Sequence, residues 1–371
     1  MNLKNEESPS NLLWIYFLVS LGVALQVGAA NWDIIWHGIV NVESFFTPPH
    51  SVLYFGVGLS LVSTIAGIIW SLRHKIDSVG PFTTYRKIPT PLKLIVFGCS
   101  IEVISGLFDN WWHANFGFDG LLSPPHLMLI SGMTLSIIGA LIGTHLDKTH
   151  KRFHIISEMI CYGILWMILI NFVFMFTLPF SKGQFFDFNP SPTAALMLGL
   201  MLPAAFTAII FYSVQNLSFP FRMTVVAATL ITIQSLATII SNIYFAGLLP
   251  LYLLNILIPL SLDIISIYTK NNNKVFRKYS NADHKRIILS IIISLFFITF
   301  YFPWSVNMFK TFFEIDLITF ESVTIFEHLV WKFIIPILIP VSAVSAYIGI
   351  LVWKKLYEYA KLTNKFKVVV G

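Results

Sequence analysis

Ten apolar runs, each long enough for a helix to cross about 30 Å of hydrocarbon, dominate this chain of 371 residues and dictate its fold class. They lie near 12–32, 50–72, 92–110, 125–145, 155–178, 193–214, 223–244, 247–268, 287–303 and 329–352, the seventh and eighth parted only by a tight turn around Gly247, Leu248 and Pro250. In lipid every backbone polar group has to be satisfied internally, which leaves only helices and closed barrels. A barrel would need short alternating segments, whereas these runs are continuous and helix-length. The expected fold is all-α, a polytopic transmembrane helical bundle. Composition agrees, with 56% hydrophobic and only 11% charged residues, against about 25% charge in a soluble domain. That excludes a soluble globular chain, and the same apolar bias excludes disorder. Cys99 and Cys161 are the only cysteines and sit in apolar runs, so a disulfide framework is excluded too.

Charge placement predicts orientation. With the N-terminus inside, 21 of the 24 Lys and Arg fall in the N-terminal tail, the loops on that side or the C-terminal tail. Arg73, Lys75, Arg86, Lys87 and Lys93 form one such group, and Lys148, Lys151 and Arg152 another; Lys182, Lys310 and Lys332 fall on the other side. This asymmetry follows the positive-inside rule and predicts an N-in, C-in protein of the cell membrane. The net charge of +6 is thereby a topology signal; nucleic-acid binding, which needs basic residues gathered on one folded face, is excluded. The first run ends in Gly28-Ala29-Ala30, as a cleaved signal peptide can, but its roughly 20 apolar residues exceed the usual h-region of about 7–15, so it is expected to be retained.

A repeat at an offset of 76 residues carries the chemistry. The first copy, DIIWHGIVNVESFFTPPH, runs from Asp33 to His50, and the second, DNWWHANFGFDGLLSPPH, from Asp109 to His126. Each places a His four residues after the Asp and a second His thirteen further on, with Trp before the first His and an acid, Glu43 or Asp119, between them. Each joins the end of an odd-numbered run to the start of an even-numbered one, so both face the same, extracytoplasmic side. The expected organisation is a duplicated metal-motif unit of four spans over residues 1–150 and a C-terminal bundle of about six over 151–371.

Asp and His at i and i+4 share one helical face and can reach one point. Thr47-Pro48-Pro49 and Ser123-Pro124-Pro125 are helix starts, a hydroxyl N-cap followed by Pro at the first helical position. They put His50 and His126 in the first turn of the following helix. Asp33, His37 and His50, and likewise Asp109, His113 and His126, therefore form candidate three-ligand metal sites. Ligand chemistry leaves copper, zinc and non-haem iron open. A single interfacial His or Trp is ordinarily just an interfacial residue; four of the ten His in two copies of one spacing, each with a carboxylate, are not explained that way.

The string D-x3-H-x12-H, with its Trp, its acid and a terminal F-T-P-x-H, resembles the C-type integral membrane subunit of the copper-containing membrane monooxygenases, the particulate methane and ammonia monooxygenases. Asp33, Trp36, His37, Glu43, Phe46, Thr47, Pro48 and His50 fall on that pattern. The resemblance implies that Asp33, His37 and His50 ligate copper outside the cytoplasmic membrane. Asp109, His113 and His126 are similar to the family's second site, with Asp in place of Asn and a spacing one residue shorter. The chain departs from the family at Gly38 and Ala114, where Gln is usual, and at Val42 and Phe118, where Arg is usual. The resemblance covers roughly residues 10–145, and the chain continues for some five spans beyond the length of the family's own chain.

Elsewhere, a degenerate third copy is expected near Thr177, with Ser181 and Ala194 at the His positions and Ser191-Pro192 matching the helix start. Glu102 is an intramembrane carboxyl two turns below Asp109 and a candidate proton relay or ligand-orienting group, the alternative being a protonated Glu bonded to a neighbouring helix. Glu43 and Asp119 are candidates for the same supporting role. Asp263 is expected to pair helices or sit at the interface. The loop from Trp304 to His328, with Glu314, Asp316, Glu321 and Glu327, is expected to be solvated. His145, His150 and His154 lie among Lys and Arg and are expected to form a solvated or headgroup-facing patch, with a metal site as the alternative. No phosphate-binding, nucleophile-elbow, CxxC or dinucleotide motif occurs.

Two functional readings follow. In the first the chain is a membrane copper protein, alone, as a homo-oligomer or with other membrane subunits, oxidising a small uncharged substrate with O2. In the second the same His and Asp capture ions for a transporter or metal-handling protein, and the repeat is of the kind transporters show. Haem ligation by paired His is a third class, which the adjacent Asp residues disfavour.

Overall fold

The computed structural model describes residues 11–39, 44–74, 88–117, 121–147, 151–177, 192–215, 217–271, 288–292 and 335–367, and among them there is no strand. The helices are α1 (Asn11–Ile39), α2 (Pro48–Arg73), α3 (Thr90–Phe116), α4 (Pro124–Leu146), α5 (Lys151–Thr177), α6 (Pro192–Val214) and α7 (Arg222–Ser241). There follow α8 (Leu249–Leu253), flanked by 3-10 turns at Ile243–Leu248 and Leu254–Ile256, then α9 (Leu257–Asn271) and α10 (Ile335–Lys367). Six helical segments are long and apolar enough to cross a membrane: Leu12–His37, Pro48–Arg73, Thr90–Phe116, Pro124–Leu146, Arg152–Val173 and Arg222–Ser241. Phe55, Val62, Phe97 and Leu107 on α2 and α3 are each at least 60% exposed. Apolar side chains that large stand in the open when the surrounding solvent is lipid.

The run at 247–268 is not the single helix expected. It is broken into α8 and α9 by the 3-10 turn Leu254–Ile256. Pro259 is the physical reason: it cannot donate to the carbonyl of Asn255, and its ring crowds that carbonyl. The predicted tenth span is described from Ile335 and continues as helix to Lys367, past its expected end at 352. Of the predicted ninth span, 287–303, only 288–292 lies within the described residues.

The first four helices form a closed ring: α1 packs on α2, α2 on α3, α3 on α4 and α4 back on α1. The closest approaches recur at the offset of the sequence repeat. A Cβ on Gly22 would stand 2.7 Å from the Gly56 carbonyl oxygen, and one on Gly98 would stand 2.7 Å from that of Gly132. Small residues let the two helices of each hairpin meet backbone to backbone. Gln26 and Ser60 in the first hairpin correspond to Glu102 and Ser136 in the second, so duplication extends well below the Asp–His motif. The arrangement is that of a parallel repeat about an axis along the bundle.

The remaining helices pack around this ring. α5 lies against α1 and α4, α7 against α1 and α5, and α6 joins α5 to α10. Trp166 on α5 is 2% exposed, donates from Nε1 to Thr207 Oγ1 at 2.9 Å and stacks edge-on with Phe211. Asp263 on α9 is a helix-pairing residue: its Oδ2 accepts from the backbone N–H and the hydroxyl of Thr224, both at 2.8 Å, in the open first turn of α7. Cys99 and Cys161 are free thiols, both fully buried.

Candidate metal centres

Each triad is assembled where one helix ends and the next begins. The C-terminal end of α1 carries Asp33 and His37, and the first turn of α2 carries His50. Thr47 caps α2 as expected: its backbone is extended, Pro48 follows, and its Oγ1 accepts from the His50 N–H at 3.3 Å. The second copy repeats this backbone at Ser123, but without the side-chain bond; the Ser123 hydroxyl is buried with no partner. At the end of α3, Gly117 takes φ 73°, a conformation that suits glycine, and its N–H donates to the His113 carbonyl at 3.0 Å.

The side chains converge as their spacing predicts. His37 Nε2 lies 3.4 Å from Asp33 Oδ1, and His50 Nε2 lies 3.3 Å from Asp33 Oδ2. In the second copy His113 Nε2 and His126 Nε2 lie 3.4 and 3.3 Å from the same oxygen, Asp109 Oδ1. Within each triad all three donor atoms fall within 4.8 Å of one another. The imidazole centroids stand 6.2 Å apart in the first triad and 6.0 Å in the second.

Three features suit these triads to a metal ion. The first is length. Charge-assisted N–H···O bonds close to about 2.7–2.9 Å, and these pairs stop short of that. The second is the other ring nitrogen. His50 Nδ1–H donates to the Ser44 carbonyl at 3.1 Å, His113 Nδ1–H to Gly117 at 3.1 Å and His126 Nδ1–H to Leu121 at 3.3 Å. In the neutral ring the proton is then on Nδ1, and Nε2 turns a lone pair toward the carboxylate. Such a pair is held together either by a second proton on the ring or by a cation between ring and carboxylate. The third is that Asp33 Oδ1 and Asp109 Oδ1 are buried and accept no hydrogen bond. Two ligands about 2.1 Å from an ion at a tetrahedral angle stand roughly 3.4 Å apart, so the donor set fits a transition metal. Backbone carbonyls on the outer ring nitrogens are the usual second layer around such a site.

The six candidate ligands fall into two separate groups, and no residue is shared between the triads. The centres are neighbours. His50 interacts electrostatically with Asp109 as well as Asp33, and so does Tyr54, one turn along α2. Tyr54 packs on His50 and Phe45, with centroids at 6.0 and 5.0 Å. Sequence reasoning passed over Tyr54; its i+4 spacing from His50 was the available signal. The second copy has Ile130 at the corresponding place.

Glu102 is brought to neither triad among the described contacts. It is 2% exposed, and its Oε1 accepts from Ser136 Oγ on α4 at 2.8 Å, the neighbouring-helix bond that was the alternative to a relay. Its Oε2 accepts no hydrogen bond, and Gln26 is the other polar side chain acting on it. Gly132 leaves the room that Glu102 occupies. Glu43, Asp119, His150, Ser181, Ser191 and the loop from Trp304 to His328 lie outside the described residues, and so do the surroundings of the Ala194 side chain.

No protein-family model, curated protein or solved structure matches this chain.

Proposed function

We propose that this chain is a membrane copper protein whose two Asp–His–His centres each hold one ion, related to the C-type integral membrane subunit of the copper-containing membrane monooxygenases. The observation that carries the reading is the second triad, where backbone-anchored His113 and His126 both direct Nε2 at Asp109 Oδ1, a buried oxygen that accepts no hydrogen bond, and the first triad repeats the same donor set. Asp33, His37 and His50 would hold one ion and Asp109, His113 and His126 the other. A three-ligand copper ion supplies one-electron redox chemistry and an open position, suited to oxidising a small uncharged substrate with O2. The protein's own part is to fix the imidazoles through Ser44, Gly117 and Leu121, and to shield the first centre behind Phe45 and Tyr54. In this reading the chain spans the cell membrane ten times with both termini inside, and the centres face outward, where further membrane proteins bring the electron donor.

Metal analysis with EPR on the purified protein tests this. Wild type is expected to hold two copper ions, His37→Ala and His113→Ala one each, and the double variant none. Copper retained in the double variant would show that the ligands lie elsewhere. Wild-type protein that holds no tightly bound copper would exclude the copper reading, and turnover is checked separately by oxygen uptake.

A second reading, metal capture and passage, is supported by one observation. Buried polar side chains continue below the triads: Gln26, Ser60, Glu102 and Ser136 midway, then Ser20, Thr144 and Glu158 toward the other end, each at most 2% exposed. Uptake of copper into sealed vesicles without oxygen consumption would favour it.

A further inference from the structure

Midway along the ring of α1 to α4, each helix contributes one buried polar side chain: Gln26 on α1, Ser60 on α2, Glu102 on α3 and Ser136 on α4. Gln26 and Ser60 stand in the first hairpin where Glu102 and Ser136 stand in the second. Their niches match as well. A Cβ on Gly56 would meet Gln26 Cγ at 2.8 Å, and one on Gly132 would meet Glu102 Cγ at 2.6 Å. Ser136 donates to Glu102 Oε1 at 2.8 Å. Gln26 Nε2 donates to Ser60 Oγ at 3.5 Å, and Ser60 directs its own proton at the Val19 carbonyl, 3.4 Å away. Two oxygens are left over, Gln26 Oε1 and Glu102 Oε2, both buried with no hydrogen-bond partner. The two side chains that carry them are hydrogen-bonding neighbours from one hairpin to the other.

Two unpaired acceptors in a buried site are costly. A proton on Glu102 removes the cost at both, because Oε2 becomes a donor and Gln26 Oε1 accepts from it. Ionised, the carboxylate would have neutral neighbours alone. Ser136 and Gln26 are the side chains that act on it, and the Cys99 thiol, three residues earlier on α3, is the titratable group beside it. A charge inside a membrane bundle without a counter-charge is strongly disfavoured. We propose that Glu102 and Gln26 form a proton-binding site inside the ring, in which the neutral acid donates from Oε2 to Gln26 Oε1 and clasps the α3–α4 hairpin to the α1–α2 hairpin. Duplication supplies the geometry, and its divergence supplies the chemistry. Because the first copy carries the amide and the second the acid, the site takes up one exchangeable proton rather than two. It shares no residue with either triad and rests on neither metal reading.

Infrared spectroscopy of the full-length protein in detergent at neutral pH tests this, because a protonated carboxyl has a carbonyl stretch that a carboxylate lacks. The difference spectrum of wild type minus Glu102→Gln is expected to contain that acid band. Glu102→Gln is expected to fold and melt as wild type does, since its amide also donates toward Gln26 and accepts from Ser136. In Gln26→Met, which has no oxygen to accept the bond, the acid band is expected to shift in frequency. If that variant does not fold, Gln26→Asn, which keeps the amide one methylene short of Glu102, supplies the same readout. A difference spectrum with carboxylate bands and no acid band would overturn the proposal, whether the charge is met by a bound cation or by a turned Gln26 amide. So would an acid band that stays in place in the Gln26 variant. Failure of Glu102→Gln to fold would overturn it too, because the isostere of a neutral acid is tolerated where a required charge is not. None of these results bears on the copper reading, whose test is metal content at the triads.

Discussion

Thr47 and Ser123 occupy the same place in the two copies, yet only Thr47 makes its cap bond to the next helix. Thr47→Ala is accordingly expected to cost about 1 kcal/mol of stability, and Ser123→Ala much less, as measured by denaturant unfolding of the detergent-solubilised protein. The carboxylates give a second residue-level expectation. Asp109→Asn keeps the size of the side chain but removes its charge, so one of two bound ions should be lost while the protein remains folded, read by metal content and circular dichroism. Because protons and the metal compete for the same ring nitrogens, loading of both centres is expected to fall on acidification, read as metal retained across a pH series. The triads themselves were legible in the sequence because i, i+4 spacing and the Pro-Pro helix start place Asp33, His37 and His50 with little freedom. Their supports were not legible. Ser44, Gly117 and Leu121 act through backbone carbonyls, which any residue type supplies, so no letter in the sequence marks them.

Among the elements, the two hairpins α1–α2 and α3–α4 depend on glycine at their crossings. Gly22→Ala and Gly98→Ala force a methyl group against the facing backbone and should destabilise by roughly 1–3 kcal/mol. Gly58, on the same helix as Gly56 but with nothing within 4 Å of an added Cβ, is the internal control, and Gly58→Ala should be neutral or mildly stabilising. Thermal unfolding of the three variants checks the contrast. Asp263→Ala removes both bonds to Thr224 and should cost about 1.5–3 kcal/mol, given that hydrogen bonds to a charged group are among the stronger ones. The positions of α1 to α7 were readable from hydropathy alone, since length and continuity of an apolar run determine them. The break between α8 and α9 was not, because Leu251–Leu254 and Ile256–Ile258 are as apolar as any continuous helix and only Pro259 betrays the interruption.

At the scale of the whole molecule, the proposed topology is open to direct mapping. Cys99 and Cys161 are both fully buried, so membrane-impermeant thiol reagents should leave wild type unlabelled. A cysteine at Phe46, which is 72% exposed beside the first triad, is expected to react from outside the cell, and one at Lys355 only after the membrane is opened. Labelling in the reverse order would invert the topology without altering either centre. The duplicated unit consists of two helices, and that even number has a consequence. A hairpin copied in tandem returns the chain to the side from which it started, so both copies present their ligands to the same compartment; a unit of one or three helices would have put the second copy on the far side. Ions held at the two triads, as proposed, would therefore be wired in parallel: they would meet the same metal supply and the same membrane potential, and neither could serve as the other's exit.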